Sequence, residues 1–225
     1  DVAVFFELPD MERVLVERAF WDIYYEHSSY FTSGSLARLF RATGFDVHAL
    51  WKAYADQYLM IEARPAFGAT PPRLPGENDL ARTRGQVVAI RDGIRDDLAK
   101  LRIQVEGWKE KGRRVAIWGS GSKGVSYLTT LGLRGEIDAV VDINPHKWGK
   151  FLAGTGHEIV GPDTLKRIRP DVVVVMNPIY VEDIARDLAD EGLRVETLLH
   201  PGDPTELVVE ELRARMVDEL DYTLE

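Results

Sequence analysis

The chain has 225 residues, enough for one large domain or two small ones, and its 45% hydrophobic and 29% charged content is ordinary for a globular protein. Its formal net charge of −9 disfavours nonspecific binding to nucleic acid or to an anionic membrane surface. It contains no cysteine, which excludes disulfides and cysteine-based zinc sites in this chain. It has neither a signal-peptide pattern nor an apolar stretch near the ~20 residues needed to cross a bilayer. We therefore expect a cytoplasmic protein.

The first element is a strand over residues 2–7, followed by a short helix over 11–18. The strand is rich in Val and Phe and begins directly at the start of the chain, without an initiator methionine. This pattern is typical of a central strand whose earlier neighbours are missing. We therefore expect the chain to be a fragment of a longer protein; the alternative is a processed or tag-trimmed complete domain.

The next elements are a helix and two strands. A hydroxyl in the segment 32–35 can cap a helix over 35–44, whose apolar residues have helical spacing. Residues 45–51 and 57–63 then alternate enough to predict an antiparallel pair of strands. A run of prolines and glycines between 65 and 76 marks a linker.

A long charged helix is predicted from Asp79 to about Lys111. Its apolar residues recur at helical spacing and form a stripe that suits packing along a domain face or against a partner. They are Val87, Ile90, Ile94, Leu98, Leu101 and Val105. We expect this helix to be structural rather than catalytic.

From Arg113 onward, strands and helices alternate. The strands are predicted at 115–118, 137–141, 172–176 and 194–199, and the helices run from the end of the 119–124 loop to 131, over 179–191 and over 205–218. Because the strands are almost continuously apolar, this alternation predicts an α/β fold with a doubly wound parallel sheet.

A glycine-rich loop is the clearest binding motif. Gly119-Ser-Gly121-Ser122-Lys123-Gly124 fits G-x-G-x-x-G directly after a strand and at the start of a helix, where free backbone N–H groups favour a phosphate. Asp142 ends the next strand, where a ribose-binding acid usually lies. The motif therefore favours a nucleotide ligand, with NAD as its default partner; the alternative is a Rossmann-like turn that binds nothing.

Further candidate ligand contacts follow the strand ends. Lys123 and Lys147 can oppose the charge of a diphosphate, and Asn144 lies in the same segment as Lys147. Asn177 and Tyr180 follow a later strand at its carboxyl end, where such folds contact ligands. The alternative for Asn177-Pro178 is a simple turn.

The run Tyr24-Tyr-Glu26-His27-Ser-Ser-Tyr-Phe31 gathers a different set of groups. Histidine exchanges protons near neutral pH, so His27 is a candidate base. Glu26 can orient or stabilise the ring, and Tyr24 can donate a hydrogen bond to a developing oxyanion. On spacing alone, an isolated histidine beside aromatic residues is more often packed and hydrogen-bonded than catalytic.

The order of these motifs resembles a known family. Residues 2–7, the 24–31 run, 35–45 and 57–65 are similar to the last third of a class I S-adenosylmethionine (SAM) methyltransferase domain. Tyr24-x-Glu26-His27-x-Ser29-Tyr30 resembles the sugar C-methyltransferases that act on nucleotide-linked keto-deoxysugars. The segments 117–124, 141–150, 154–157 and 175–178 are similar to that family's C-terminal Rossmann-like domain.

The resemblance implies a division of the chain and an activity. Residues 1–66 would end a class I methyltransferase domain, 67–111 would be a linker and long helix, 112–204 a Rossmann-like nucleotide-sugar-binding domain, and 205–225 a C-terminal helix. His27 would be the general base, with Tyr24 and Glu26 lining the same site. SAM would be bound mainly by a missing N-terminal part, and zinc would be held only in a missing N-terminal domain. The fragment alone would then be inactive.

The resemblance also implies a small nucleotide-linked substrate. We expect a monomer or a homodimer. Two alternatives from other classes stay open. One is a regulatory or binding module in which 119–142 binds NAD(P) or another nucleotide and the first third is a docking platform. The other is an interaction module built around the 79–111 helix.

Overall fold

The computed structural model describes residues 2–68 and 71–202, which form two compact units. The antiparallel unit comprises the chain up to Ala19 together with Tyr25–Ile94. Of the described residues, the parallel unit comprises Phe20–Tyr24 and the residues from 95 to 202. Five residues from the first third of the chain therefore belong to the second unit.

The antiparallel unit is built on a three-stranded sheet of β1 (Val4–Pro9), β2 (Phe45–Ala53) and β3 (Tyr58–Pro65), in the order β1-β3-β2. Strand β3 runs antiparallel to both neighbours, so the predicted antiparallel pair is confirmed. Within the described residues β1 is an edge strand, and the side chains of Phe5 and Phe6 are about half exposed.

Two helices accompany this sheet: α1 (Met11–Glu17) and α2 (Ser33–Ala42). Helix α2 begins two residues earlier than predicted because Thr32 and Ser35 cap it reciprocally: each side-chain oxygen accepts a hydrogen bond from the other residue's backbone N–H. The apolar face of α2 packs on the sheet and forms the core of the unit. This core consists of Leu36, Ala37, Val47, Leu59 and Ile61.

After Pro65, which ends β3, the described part of the predicted linker contains no helix or strand, and the residues that follow it are fixed to α2. Glu77 and Asp79 are almost completely buried. Glu77 accepts two hydrogen bonds from the Arg41 guanidinium, at 2.8 and 3.0 Å, and Asp79 accepts one from the Gly34 backbone N–H at 2.8 Å and one from Arg38 at 3.0 Å. These hydrogen bonds hold residues 77–79, which we call the strap, against α2.

The long helix α3 (Leu80–Glu110) lies within one residue of its predicted limits. Its predicted apolar stripe is buried only toward the C-terminal end, where Val105 and Trp108 are inaccessible, whereas Val87 is about half exposed. In this C-terminal part, Lys109 pairs with Asp138 at 2.9 Å within the parallel unit.

The parallel unit contains a five-stranded sheet whose strand pairs are all parallel, so the predicted α/β class with a parallel sheet is confirmed. Its strands are β4 (Val115–Trp118), β5 (Ala139–Val141), β6 (Ile159–Val160), β7 (Val172–Val175) and β8 (Thr197–Leu199), in the order β6-β5-β4-β7-β8. The chain builds one side from β4 to β6 and then crosses to β7 and β8. This reversal beside β4 creates a crevice at the strands' carboxyl ends, where such sheets bind ligands.

Three helices connect these strands: α4 (Ser122–Leu131), α5 (Leu165–Ile168) and α6 (Val181–Asp190). The sequence analysis did not predict two short elements, β6 and α5, because they contain too few residues to show a periodic pattern of apolar side chains. The predicted helix at 205–218 lies outside the described residues. In the described ranges, no helix is both long and apolar enough to span a bilayer.

Candidate functional site

The glycine loop connects β4 to α4 in the way its pattern predicts. Gly119 has a φ of +121°, a conformation that only glycine adopts without strain. A side-chain carbon on Gly124 would overlap the carbonyl oxygen of Gly119, so this glycine permits the close approach of helix and strand. Gly121 is the N-cap of α4 and provides no capping side chain, so the backbone N–H groups at the helix start are not capped by that residue.

The loop forms one wall of a cavity of about 510 Å³ in the parallel unit, which we call the glycine-loop cavity. The predicted site residues that line it are Tyr24, Gly119, Gly121, Ser122, Lys123, Gly124, Asp142, Asn177 and Tyr180. Trp118, Ile143, Met176 and Ile184 supply apolar surface, and Asp183 and Asp187 of α6 supply carboxylates that the sequence analysis did not identify. Nine predicted residues from four segments of the chain are thus brought together.

The carboxylate of Asp142 is the centre of a hydrogen-bond network beside this cavity. One oxygen accepts from the Asn144 backbone N–H at 2.9 Å. The other accepts from the hydroxyl and backbone N–H of Ser120 and from the Lys147 ammonium, the last at 2.8 Å. Burial raises the pKa of Asp142, but the bonds from Lys147, Ser120 and Asn144 outweigh burial and leave the pKa below its ordinary value.

Two of the predicted site residues, Lys147 and Asn144, have partners within the protein. Lys147 forms an ion pair with Asp142 and does not line the cavity. Asn144 also lies outside the lining, and its side-chain oxygen accepts the His146 backbone N–H at 3.0 Å, which caps the turn at Pro145–Lys147. Asn177 caps the turn at Pro178–Tyr180 in the same way, although it also lines the cavity.

Lys123, the one lysine or arginine in the described cavity lining, forms an ion pair with a carboxylate from a distant part of the sequence. Its ammonium lies 2.9 Å from the carboxylate of Asp22, in the short helical turn Phe20–Asp22. Sequence periodicity could not predict this turn, because three residues are too few to show a period. The signal that was available is the pair of large aromatic residues, Phe20 and Trp21.

His27 lines a second, smaller cavity of about 290 Å³ in the antiparallel unit, which we call the His27 cavity. It lies at the end of β1, and its polar lining residues include Glu7, Ser29 and Tyr30. The rings of His27 and Tyr30 meet edge to face with their centres 5.6 Å apart. Glu7 was not identified from the sequence, although its position near the end of a strand is one where functional groups often occur.

The three predicted catalytic residues have different surroundings. His27 lines the His27 cavity and Tyr24 lines the glycine-loop cavity. Glu26 is exposed and lines neither of these two cavities. Among residues 2–68 and 71–202, no cluster of three or more His, Asp or Glu side chains has an arrangement that could hold a metal ion.

Comparison with known proteins relates both parts of the chain to one class of enzyme. Residues 86–194 match the family model described as the C-methyltransferase C-terminal domain. The chain is also 30% identical over 198 residues to the C-methyltransferase NovU of Streptomyces niveus. That alignment covers 82% of this chain and 46% of the relative, so the chain spans about half the length of the relative it matches.

The matched region 86–194 contains the glycine loop, Asp142 and Asn177, and the longer alignment covers most of the remaining sequence. The chain therefore contains a C-methyltransferase C-terminal domain.

Proposed function

We propose that this chain is part of a SAM-dependent enzyme that methylates a carbon atom next to a ketone, in a nucleotide-linked keto sugar, with His27 as the general base. The observation that carries the proposal is the match to the C-methyltransferase family over the parallel unit together with a histidine at the wall of a cavity in the antiparallel unit. In this proposal, residues 1–66 end a class I methyltransferase domain and 112–204 form a Rossmann-like domain.

The methyl donor is assigned to a part of the enzyme outside these residues. The His27 cavity, at about 290 Å³, is slightly below the range of about 300–1,000 Å³ that is usual for whole small-molecule ligands. We therefore do not assign the whole of SAM to the His27 cavity. A relative of which this chain covers 46% supports the assignment of SAM binding to another part of the protein.

His27 suits the removal of a proton from carbon. A C–H bond next to a ketone loses its proton when a base is held beside it and the enolate oxygen is stabilised. The proton passes to the imidazole, and the electron pair of the C–H bond becomes the enolate. The hydroxyl of Tyr30, which shares the cavity with His27, is a candidate donor to the enolate oxygen.

The test is the substitution His27→Asn in the enzyme that contains this chain, because asparagine has similar polarity but cannot take up the proton. The direct measurement is the exchange of the substrate's α-hydrogen for deuterium in heavy water, which needs no methyl donor. A base of this kind contributes about 10²–10⁴ in rate, so exchange should fall by that factor. The control is Tyr25→Phe, since Tyr25 is 88% exposed. Wild-type exchange in H27N would remove the base assignment.

The glycine-loop cavity is proposed to hold the nucleotide part of the substrate. Its volume of about 510 Å³ lies in the normal range for a small-molecule site. The competing function, an NAD-binding module, needs Asp142 to accept the ribose hydroxyls, but this carboxylate already accepts four hydrogen bonds from the protein. Calorimetry with NAD and with thymidine diphosphate separates the two, because each function predicts binding of one ligand and not the other.

A further inference from the structure

The segment Phe20–Tyr24 is attached to helix α4 by several independent contacts. The hydroxyl of Ser126 lies 3.3 and 3.2 Å from the carbonyl oxygens of Phe20 and Ile23. The ring of Phe20 stacks on Tyr127 with centres 6.0 Å apart. Lys123, Ser126 and Tyr127 lie at i, i+3 and i+4 of α4, so one face of the helix holds the segment.

An ion pair completes this attachment at the edge of the cavity. The Lys123 ammonium lies 2.9 Å from the Asp22 carboxylate, and the two side chains are only 22% and 10% exposed. An ion pair withdrawn from water is screened less than a surface pair, and removal of one partner leaves the other charge poorly compensated. The pair is therefore a strong constraint on the position of Asp22.

Two residues after Asp22 the chain reaches Tyr24, which lines the glycine-loop cavity. Lys123 lines the same cavity, so the ion pair and the tyrosine belong to one local arrangement in the parallel unit. His27 follows three residues further along the chain. The start of the run that carries the proposed base is thus fixed by the helix that follows the glycine loop.

We propose that Asp22 and Lys123 are a pair of positioning residues, which hold Tyr24 in the wall of the glycine-loop cavity and fix the start of the 24–31 run. The proposal rests on the function proposed above, and it replaces the expectation that Lys123 binds a diphosphate. The charge of Lys123 is used within the protein, to hold the segment that lines the site. The diphosphate is left to the backbone N–H groups at the start of α4.

The two roles of Lys123 predict opposite effects of Asp22→Asn. If Lys123 bound phosphate, removal of the Asp22 charge would free the ammonium and tighten substrate binding. If the pair positions Tyr24, the same substitution loosens the segment and weakens binding. Lys123→Gln weakens binding in both cases, so the sign of the effect of D22N separates the roles.

The experiment measures KM and kcat for D22N, K123Q and the double variant in the enzyme that contains this chain. We expect each single substitution to raise KM about tenfold, which corresponds to about 1.4 kcal/mol, and the double variant to be no worse than either single one. The charge exchange Asp22→Lys with Lys123→Asp should reverse part of the rise in KM. The conservative substitution Lys123→Arg should keep KM close to the wild-type value. Asp163→Asn is the charge-matched control, since Asp163 is an exposed acid of the same unit that pairs with Lys166. A lower KM in D22N overturns the proposal, as does additivity of the two substitutions.

A second measurement is independent of catalysis. Amide hydrogen exchange of residues 20–24 in the chain should become faster in D22N and in K123Q, and should be unchanged in D163N. Faster exchange of this segment with wild-type KM and kcat indicates a purely structural pair and overturns the positioning role. If the wild-type enzyme shows no methyl transfer, the proposed function fails. The pair is then judged by the calorimetric affinity for thymidine diphosphate: a loss in D22N supports the pair, while a gain, no change or the absence of wild-type binding overturns it.

Discussion

The carboxylate of Asp142 should be the strongest single contribution to the stability of the glycine-loop region, and Asp142→Asn removes it with almost no change in volume. The carboxylate accepts hydrogen bonds from Ser120, Asn144 and Lys147 and so joins the glycine loop to the segment after β5. An asparagine has one acceptor oxygen in place of two. In either orientation its NH₂ group faces at least one N–H donor, which is then left without its acceptor.

The expected cost follows from these contacts. Leaving a buried donor without its acceptor costs about 1–3 kcal/mol. The ion pair with Lys147 adds at most about 1 kcal/mol, because the lysine side chain is 38% exposed and its charge is partly screened. We therefore expect D142N to lower the free energy of unfolding of the parallel unit by about 1–4 kcal/mol at pH 7.

Native-state hydrogen exchange of the amides in β4 and β7 is the suitable assay, because it reports the opening of this unit separately from the rest of the chain. The matched control is Asp183→Asn, which removes a carboxylate from the same cavity. Its side chain is 63% exposed and forms an exposed ion pair with Arg186 at 3.1 Å, so its cost should be within about 0.5 kcal/mol. A D142N value within 0.5 kcal/mol of D183N would refute the argument that the network stabilises the loop.

The pH dependence provides a second check. The pKa of Asp142 is lower in the folded protein than in the unfolded chain, where it is about 3.9, so folding favours the ionised form. The stabilisation is fully present above the unfolded value and is lost as the pH falls through the folded value. The difference between wild type and D142N should therefore be constant from about pH 7 to 5 and should shrink below about pH 4. A difference that grows on acidification would contradict this sign.

Two further predictions concern glycines and are measured by thermal unfolding. Gly124→Ala should destabilise the protein by about 1–3 kcal/mol, because the added carbon would overlap the Gly119 carbonyl oxygen. Its control, Gly121→Ala, should be tolerated, since the added carbon there meets no atom within 4 Å. Gly34→Ala should be destabilising by a similar amount, because its added carbon would overlap the carboxylate of Asp79 and push away the strap that covers α2. Gly85→Ala in α3 is its control and should raise stability by about 0.5–1 kcal/mol, because alanine favours helix and the site is open. Equal effects within either pair of substitutions would contradict the steric argument.

Local sequence patterns predicted the elements whose geometry is set by neighbouring residues. The antiparallel strands β2 and β3, the long helix α3 and the strand–loop–helix unit around Gly119–Gly124 were all predicted close to their observed positions. In each case the information lies within one period or one turn of the chain. The single turn Phe20–Asp22 and the two-residue strand β6 contain too few residues for a period and were missed.

Composition and spacing also indicated which residues would gather at the strand ends, because parallel strands present their carboxyl ends at one edge of the sheet. They could not assign partners to the charges. The sequence suggested that Lys147 opposes a diphosphate, but it could not show that Lys147 pairs with Asp142 or that Lys123 pairs with Asp22. Charge partners depend on which side chains are within about 4 Å after folding, and a pair such as Asp22 and Lys123 is far apart in the sequence.

The sequence by itself therefore determined the class of fold, the glycine loop and the resemblance to C-methyltransferases, since each depends on residue types at fixed spacing. Only the tertiary structure decided that Tyr24 and His27 line different cavities and that the lysines near the glycine loop form ion pairs within the protein. The reason is that hydrogen bonds and ion pairs act over a few ångströms, and the folded chain alone sets those distances.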